Sequence, residues 1–349
     1  MTLGAYPTRM LFSDFVGNRI GSVMAREASA GQWSRSDSEV SSMTTTFTAA
    51  TPELADLEPW LHDASVYRGD ELVWRGVVFT TETSGNQATI VARDPGVYFD
   101  RRRIAQDRHY VQQDLSDIAA ELVRDAMAIH DPFNVMSMMI VEPSGLYADR
   151  DVKAESRMLA EELKDLVDAG LTWTFHGGRL LIGPVGTQHT TGTISDADLD
   201  AKVTITKDGS DTVNDARVLG KTSTATWYDY SSPLGVLQSI EKKDALTDAH
   251  QCEDAARALV KERSTTPRRI SLPGSARIMA TAPVTINELI VNANVPVRMA
   301  QTGVLINQLM RVSEVTAKFA PARDEISMSL VQPRAQLEPN ELSTSAIGN

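Results

Sequence analysis

Between residues 66 and 103 the chain alternates short apolar runs with tight-turn residues, a pattern that fits an antiparallel strand meander. Val66 leads through Arg68-Gly69-Asp70 into Glu71-Leu72-Val73-Trp74-Arg75-Gly76-Val77-Val78-Phe79. Ser84-Gly85-Asn86 turns the chain into Ala88-Thr89-Ile90-Val91-Ala92, and Arg93-Asp94-Pro95 leads on to Phe99 and the run Arg101-Arg102-Arg103. Branched and aromatic residues suit a pleated, half-buried surface, while Gly and Asn supply the turns. The Arg-Gly-Asp tripeptide is read as hairpin chemistry and not as an adhesion motif, because Gly followed by Asp between strands is an ordinary turn.

The rest of the chain divides by the same reasoning. The Ser- and Thr-rich stretch 34–51 alternates around Val40, Met43 and Phe47 and reads as strand. Asp114 is placed to cap a helix whose apolar positions Leu115, Ile118, Ala119, Leu122, Val123, Ala126 and Ile129 follow the helical period, with Pro132 as its stop. A second helix is predicted over 154–168, with Gly170 as its left-handed stop, and then a hairpin over 171–184. A Thr-, Gly- and Asp-rich spacer at 185–200 marks a boundary. Strands return at 203–206, 216–219 and 226–228, a helix is predicted over 247–263, and further strands run to 332. The stretch 77–83 with 88–91 matches 310–316 with 325–330 in layout, a Val-rich strand before an alternating one, which suggests an internal duplication.

Several chemistries are excluded or left without support. A net charge of −12 argues against a sequence-specific duplex DNA binder, since clustered Lys and Arg supply phosphate affinity, and would suit a conduit through which DNA slides. The single cysteine, Cys252, rules out an intrachain disulfide and a multi-cysteine metal site. Residues 1–7 lack the layout of a signal peptide, and no apolar run approaches the roughly 20 residues of a membrane span, so synthesis in a reducing cytoplasm is expected. Gly220-Lys221-Thr222 has Asp215 where a phosphate loop needs glycine, and a strand-like segment where it needs a helix. Asp196, Asp198 and Asp200 alternate like the start of a calcium loop, but Ala201 and Lys207 stand where its Gly and Glu belong. The six histidines, His62, His109, His130, His176, His189 and His250, form no metal-ligand pair, and there is no nucleophile elbow. No cofactor and no catalytic residue is predicted.

In order and content, the segment from Trp74-Arg75-Gly76-Val77-Val78 through Arg93-Asp94 to the basic run resembles minor tail proteins of long-tailed bacteriophages, the baseplate-hub or tail-tip-hub components. The helix, Gly stop and hairpin over 161–184 and the stretch 203–220, ending Val213-Asn214-Asp215-Ala216-Arg217-Val218, resemble the same proteins. The resemblance implies an α+β, mainly β multidomain fold with two β-barrel-like tube-type domains and an intervening α/β region. The first barrel-like domain would span 1–110, the α/β region 111–195 and the second barrel-like domain, with one helix, 196–335, followed by a flexible tail at 336–349. It implies a non-enzymatic homotrimer at the distal tail tip of the virion, joining the tail tube and distal tail protein to tip or fibre proteins. Tape measure protein and DNA would pass through it without specific binding. Arg101, Arg102 and Arg103 are the candidate interface with a partner or neighbouring subunit, or else a solvated strand end. Two other functions stay open. A cell-wall or capsule hydrolase would need convergent carboxylates or a metal, and a receptor- or glycan-binding module would need Trp33, Trp60 or Trp227 exposed along a groove.

Overall fold

The alternating residues of the first hundred positions form seven strands: β1 (Thr8–Asp14), β2 (Arg19–Met24), β3 (Ala28–Ser36), β4 (Ser42–Thr48), β5 (His62–Arg68), β6 (Glu71–Ser84) and β7 (Gln87–Arg93). The Ser/Thr-rich stretch is a hairpin and not one strand. Ser38 takes φ 57 in its turn, which leaves Val40 outside the strands and Met43 and Phe47 buried in β4. Pro95–Arg101 forms a 3-10 helix capped by Asp94, so the arginine run does not end a strand. There follow β8 (Arg108–Asp114), α1 (Leu115–Met127), α2 (Val135–Met138), β9 (Ile140–Val141), β10 (Tyr147–Val152), α3 (Leu159–Asp168), β11 (Trp173–His176) and β12 (Arg179–Ile182). The remainder comprises β13 (Ile194–Ser195), β14 (Thr204–Lys207), β15 (Asp215–Leu219), β16 (Thr224–Tyr228), β17 (Gln238–Lys242), α4 (Ala249–Arg263), β18 (Arg268–Ser271), β19 (Asn294–Met299), β20 (Ile306–Ala320) and β21 (Arg323–Val331).

This computed structural model describes residues 8–331 apart from 25–27, 49–53, 55, 186–191, 201–203, 208, 232, 245, 265–267, 272–276, 280, 301–305 and 321–322. The predicted tail at 336–349 lies outside the described residues, as does His189. Among the described residues, no helix is long and apolar enough to cross a membrane.

Local signals act where the sequence placed them, with shifted ends. The Asp114 carboxylate accepts from Ser116 N at 2.8 Å and also from Ser144 N and Gly145 N, so one side chain caps α1 and fixes the loop beside it. α1 ends before Ile129, which is 79% exposed and leaves the apolar face. α3 begins later than predicted, because Met158 is held in a bridge to Arg103. Gly170 adopts φ 115 and stops it.

Thirteen strands join in one sheet, ordered β14-β18-β21-β20-β3-β4-β7-β6-β5-β1-β2, with β19 on β20 and β13 on β19. Among the described residues this sheet does not close into a barrel, since β2 pairs only with β1 and β14 only with β18. The expected pair of barrel-like domains therefore appears as one continuous sheet shared by the N- and C-terminal strands. The physical reason is the length of β20. Its first part pairs with β19, and residues 314–319 run on to pair with residues 31–36 of β3. One hydrophobic core lies beneath both parts, from Met10, Trp33 and Val66 to Val295, Val315 and Leu330. A second core packs α1 and α3 on β11 and β12, and a third packs α4 on the three-stranded sheet β16-β15-β17.

Five strands of the N-terminal part recur in the C-terminal part with the same order and register. β3-β4-β7-β6-β5 matches β14-β18-β21-β20-β19. In the first set Val78 pairs with Ala92, Ala92 with Met43 and Met43 with Trp33. In the second Val312 pairs with Leu330, Leu330 with Ile270 and Ile270 with Ile205. On the other flank Asp63 faces Val77 and Asn294 faces Arg311. Both hairpins shift register at the same step, between Val78 and Thr80 and between Val312 and Glu314. Val77 thus corresponds to Arg311, one residue away from the match suggested by Val content, because the bulge fixes the register.

Two features hold the junction of the two sets. A Cβ on Gly31 would overlap the ring of Phe319, which lies across that glycine in the facing strand. Arg35, 1% exposed, donates to the carbonyls of Val73, Ile286 and Leu289 and lies over the Trp33 ring. Complete burial pulls its guanidinium down to about 9. Arg35→Ala should strand three carbonyls and cost about 3 kcal/mol or more, read as a lower urea midpoint with an unchanged denaturant slope. A loss within experimental error would show that the arginine does not hold this junction.

Candidate functional site

The junction between the two strand sets is also where the surface chemistry of the sheet is clearest. Alternation puts one side of each strand in the core and leaves the other side to polar residues. On that side lie Gln32, Ser34, Thr44, Thr46, Thr89, Thr316 and Ser327, all exposed or half-buried. Thr46 Oγ1 and Thr89 Oγ1 meet at 3.1 Å across β4 and β7. An open groove of about 420 Å³ crosses the junction here, with Gln32, Thr44 and Thr46 facing Lys318 and Glu325. Glu325 is the only carboxylate lining it and is paired with Arg277. The facing carboxylates needed for glycoside cleavage are not present in this groove.

Beyond the junction, one stretch of each set differs. Residues 314–319 of β20 have β21 on one side and β3 on the other. Among the described residues, the corresponding residues 80–84 of β6 pair only with β7, because pairing with β5 stops at Val77. Val315 and Ala317 are 0% and 7% exposed, whereas their counterparts Thr81 and Thr83 are half-buried and exposed.

The arginine run lies at the boundary of the α/β region, with each member engaged within the chain. The exposed Arg101 lies 5.8 Å from the Trp60 ring centroid. Arg102 donates to His130 O at 3.1 Å and lies against the Tyr98 ring. Arg103 pairs with Glu155, both side chains being mostly exposed. The 3-10 helix that delivers the run is fixed at its other end by Asp94. This buried carboxylate accepts from Ser41 N at 2.7 Å, from Ser41 Oγ and from Gly96 N at 2.9 Å.

Other sequence candidates occupy structural positions. Trp33 is 2% exposed, Trp60 packs on the second core against Phe79 and Tyr98, and Trp227 packs beside α4 under Arg257 at 4.3 Å. Trp33 is buried and Trp60 and Trp227 are half-buried, whereas a glycan-binding module would need them exposed along a groove. Glu162 and Asp165 converge, but Arg150 and Arg157 bind both of them. Burial pushes the Asp165 carboxyl up, and hydrogen bonds from Arg157 and Arg150 outweigh this and hold it below its usual range. Gly220-Lys221-Thr222 forms the turn between β15 and β16. Gly220 N donates to Ser223 O at 2.8 Å, and a Cβ there would meet Leu246 O and Cys252 Sγ. Asp198 accepts from Ser195 N at 2.8 Å and Asp196 from Ala300 N. His109 pairs with Asp151 at the surface, and His62 Nδ1 accepts from Glu58 N. Among the described residues no group of three or more His, Cys, Asp or Glu side chains is arranged to hold a metal. Arg68-Gly69-Asp70 is the β5–β6 turn, with Gly69 at φ 60.

Sequence reasoning missed the buried Arg35 and the unpaired edge at 80–84. An arginine between Ser34 and Ser36 carries no sign of burial, and an edge is defined only by which distant strand is absent.

No family model and no curated protein matches the chain. Among solved structures it is similar to a tail protein from Neisseria meningitidis, at 12% identity and TM-score 0.63, covering 94% of this chain and 97% of that one. It is also similar to the 43 kDa tail protein of prophage MuSo2 from Shewanella oneidensis, at 16% identity and TM-score 0.61, covering 93% and 98%. A prophage tail protein from Listeria monocytogenes gives 12% identity and TM-score 0.58, covering 94% and 95%. The chain therefore has the fold of phage tail proteins along nearly its whole described length, as the resemblance in its sequence implied.

Burial pushes the Asp94 carboxyl up to about 6, against the opposing hydrogen bonds from Ser41 and Gly96. A carboxyl whose folded pKa is raised stabilises the fold most when protonated, and that contribution falls as pH rises through the folded value. Relative to Asp94→Asn, the native chain should lose on the order of 2–3 kcal/mol between about pH 4 and about pH 7, measured by chemical denaturation across that range. A difference that does not vary with pH would contradict the assignment.

Proposed function

We propose that this chain is a structural subunit of a phage tail tip. Three copies form a ring that joins the tail tube and distal tail protein to tip or fibre proteins, and the ring encloses part of the passage for tape measure protein and DNA. The observation that carries this reading is the register-matched pair of five-stranded sets in a chain with a tail-protein fold. Two similar units per chain give six per trimer, so a threefold ring can dock on a sixfold tube through repeated contacts. Its work is geometric and needs no catalytic group, and its place is the distal end of the tail in the virion. The α/β region, at 111–195, is an insertion between the two sets. The neighbouring run Arg101, Arg102 and Arg103 offers positive charge to an acidic partner or a neighbouring subunit.

The charge distribution supports a passage without specific DNA binding. A net charge of −12 and a sheet face dominated by hydroxyls give phosphates little to hold. Single-particle electron microscopy of the assembled protein tests the reading. The expected result is a threefold ring with an axial opening and two superposable strand sets per subunit. A monomer at all concentrations and in isolated tails, or an assembly without an axial opening, would overturn it.

A further inference from the structure

Among the described residues, two of the open strand edges, those of β14 and of residues 80–84 in β6, match each other. We propose that they form the subunit joint, with residues 80–84 of β6 pairing antiparallel with β14 of a second copy of this chain. The inference relies on the tail-ring reading only for the number of copies.

The template for this joint lies within the chain. Residues 314–319 of β20 pair antiparallel with residues 31–36 of β3, with Val315 facing Arg35, Thr316 facing Ser34, Ala317 facing Trp33 and Lys318 facing Gln32. The matched registers put Thr81, Glu82, Thr83 and Ser84 in the places of Val315, Thr316, Ala317 and Lys318. They also put Ile205 in the place of Trp33, because both are reached through the same ladder of pairs. Repeating the internal joint between copies therefore places Thr83 opposite Ile205 of the partner subunit and Thr81 opposite Lys207 of the partner subunit.

The state of both edges fits this occupant. Among the described residues, β14 pairs only with β18, and residues 80–84 only with β7. Each presents a row of backbone donors and acceptors, and neither contains the proline that would block addition of a strand. The two edges belong to different strands, so the joint is head to tail. It leaves a free edge of each kind at the ends of any open chain and is satisfied fully only by closure. Thr81 and Thr83 stand where Val315 and Ala317 are covered, and the added strand would cover them in the same way.

Cross-linking tests the register. Directly opposed residues in an antiparallel pair have Cβ atoms about 4.5–5.5 Å apart, within a small adjustment of disulfide geometry. In the full chain, Thr83→Cys combined with Ile205→Cys should give covalent multimers on mild oxidation. The off-register pair Thr83→Cys with Thr206→Cys, and each single variant, should not. Absence of multimers from the in-register pair, equal yield from the off-register pair, or dimers from Ile205→Cys alone would overturn the joint. Thr81→Lys with Thr83→Lys provides a second test, since Thr81 is half-buried and Thr83 exposed in the single chain but both are covered in the joint. That variant should weaken assembly roughly tenfold or more, with unchanged thermal stability of the single chain, and undiminished assembly would overturn the proposal. Native mass keeps the two readings apart. A trimer without the in-register link removes this joint but not the ring, whereas the link in a ring of another size keeps the joint and removes the trimer.

Discussion

Backbone pairing between β20 and β3 is the interaction on which the rest of the arrangement depends. It joins residues far apart in sequence, turns two strand sets into one sheet and lets one core run beneath both. Backbone groups in a sheet interior must be paired, so the extension of β20 past β19 commits residues 314–319 to finding a partner. Gly31 makes room for the Phe319 ring at the far end of the pairing, and Arg35 ties β3 to the carbonyls of β6 and of the 286–289 segment. The junction is therefore held by hydrogen bonds to a buried cation as well as by apolar contact.

Around this sheet, additional structure enters at a few connections. The α/β region lies in the chain between β7 and β13, and the small sheet β16-β15-β17 with α4 lies between β14 and β18. Each insertion has its own core, while the register of the two strand sets is unchanged by their presence. The arrangement suits a scaffold whose regular part makes repeated contacts and whose insertions carry the contacts particular to one partner. The outward face of the small sheet, with Tyr228 and Ile240 exposed, is part of such an insertion.

Signals confined to a few residues were legible in the sequence. The Asp114 cap, the Gly170 stop and the hairpin over β11 and β12 depend on neighbours in the chain, and their placement held. In the sequence Arg93-Asp94-Pro95 simply leads on to Phe99 and the arginine run, whereas in the fold the Asp94 carboxylate caps a 3-10 helix. That distinction depends on Ser41, a residue 53 positions away. Ile129 continued the apolar period of α1 but falls beyond its end, because periodicity does not mark where capping stops a helix. The two strand sets were visible as similar hairpins, while their register depends on bulges that no residue type marks. The expected barrels are seen, among the described residues, as one shared sheet for a related reason, since the sequence marks a strand at 310–316 but neither the full length of β20 nor its second partner. Arg35 and the edge at 80–84 were invisible because each is defined by distant chain.

Amide hydrogen exchange on the single chain and on the assembled particle tests the central claim most directly, since it reports strand pairing without altering a residue. The account predicts that residues 31–36 exchange slowly in both states, while residues 80–84 and β14 exchange rapidly in the single chain and become protected together on assembly. Assembled particles in which both edges still exchange rapidly would contradict the claim that the chain repeats its internal junction to build the ring.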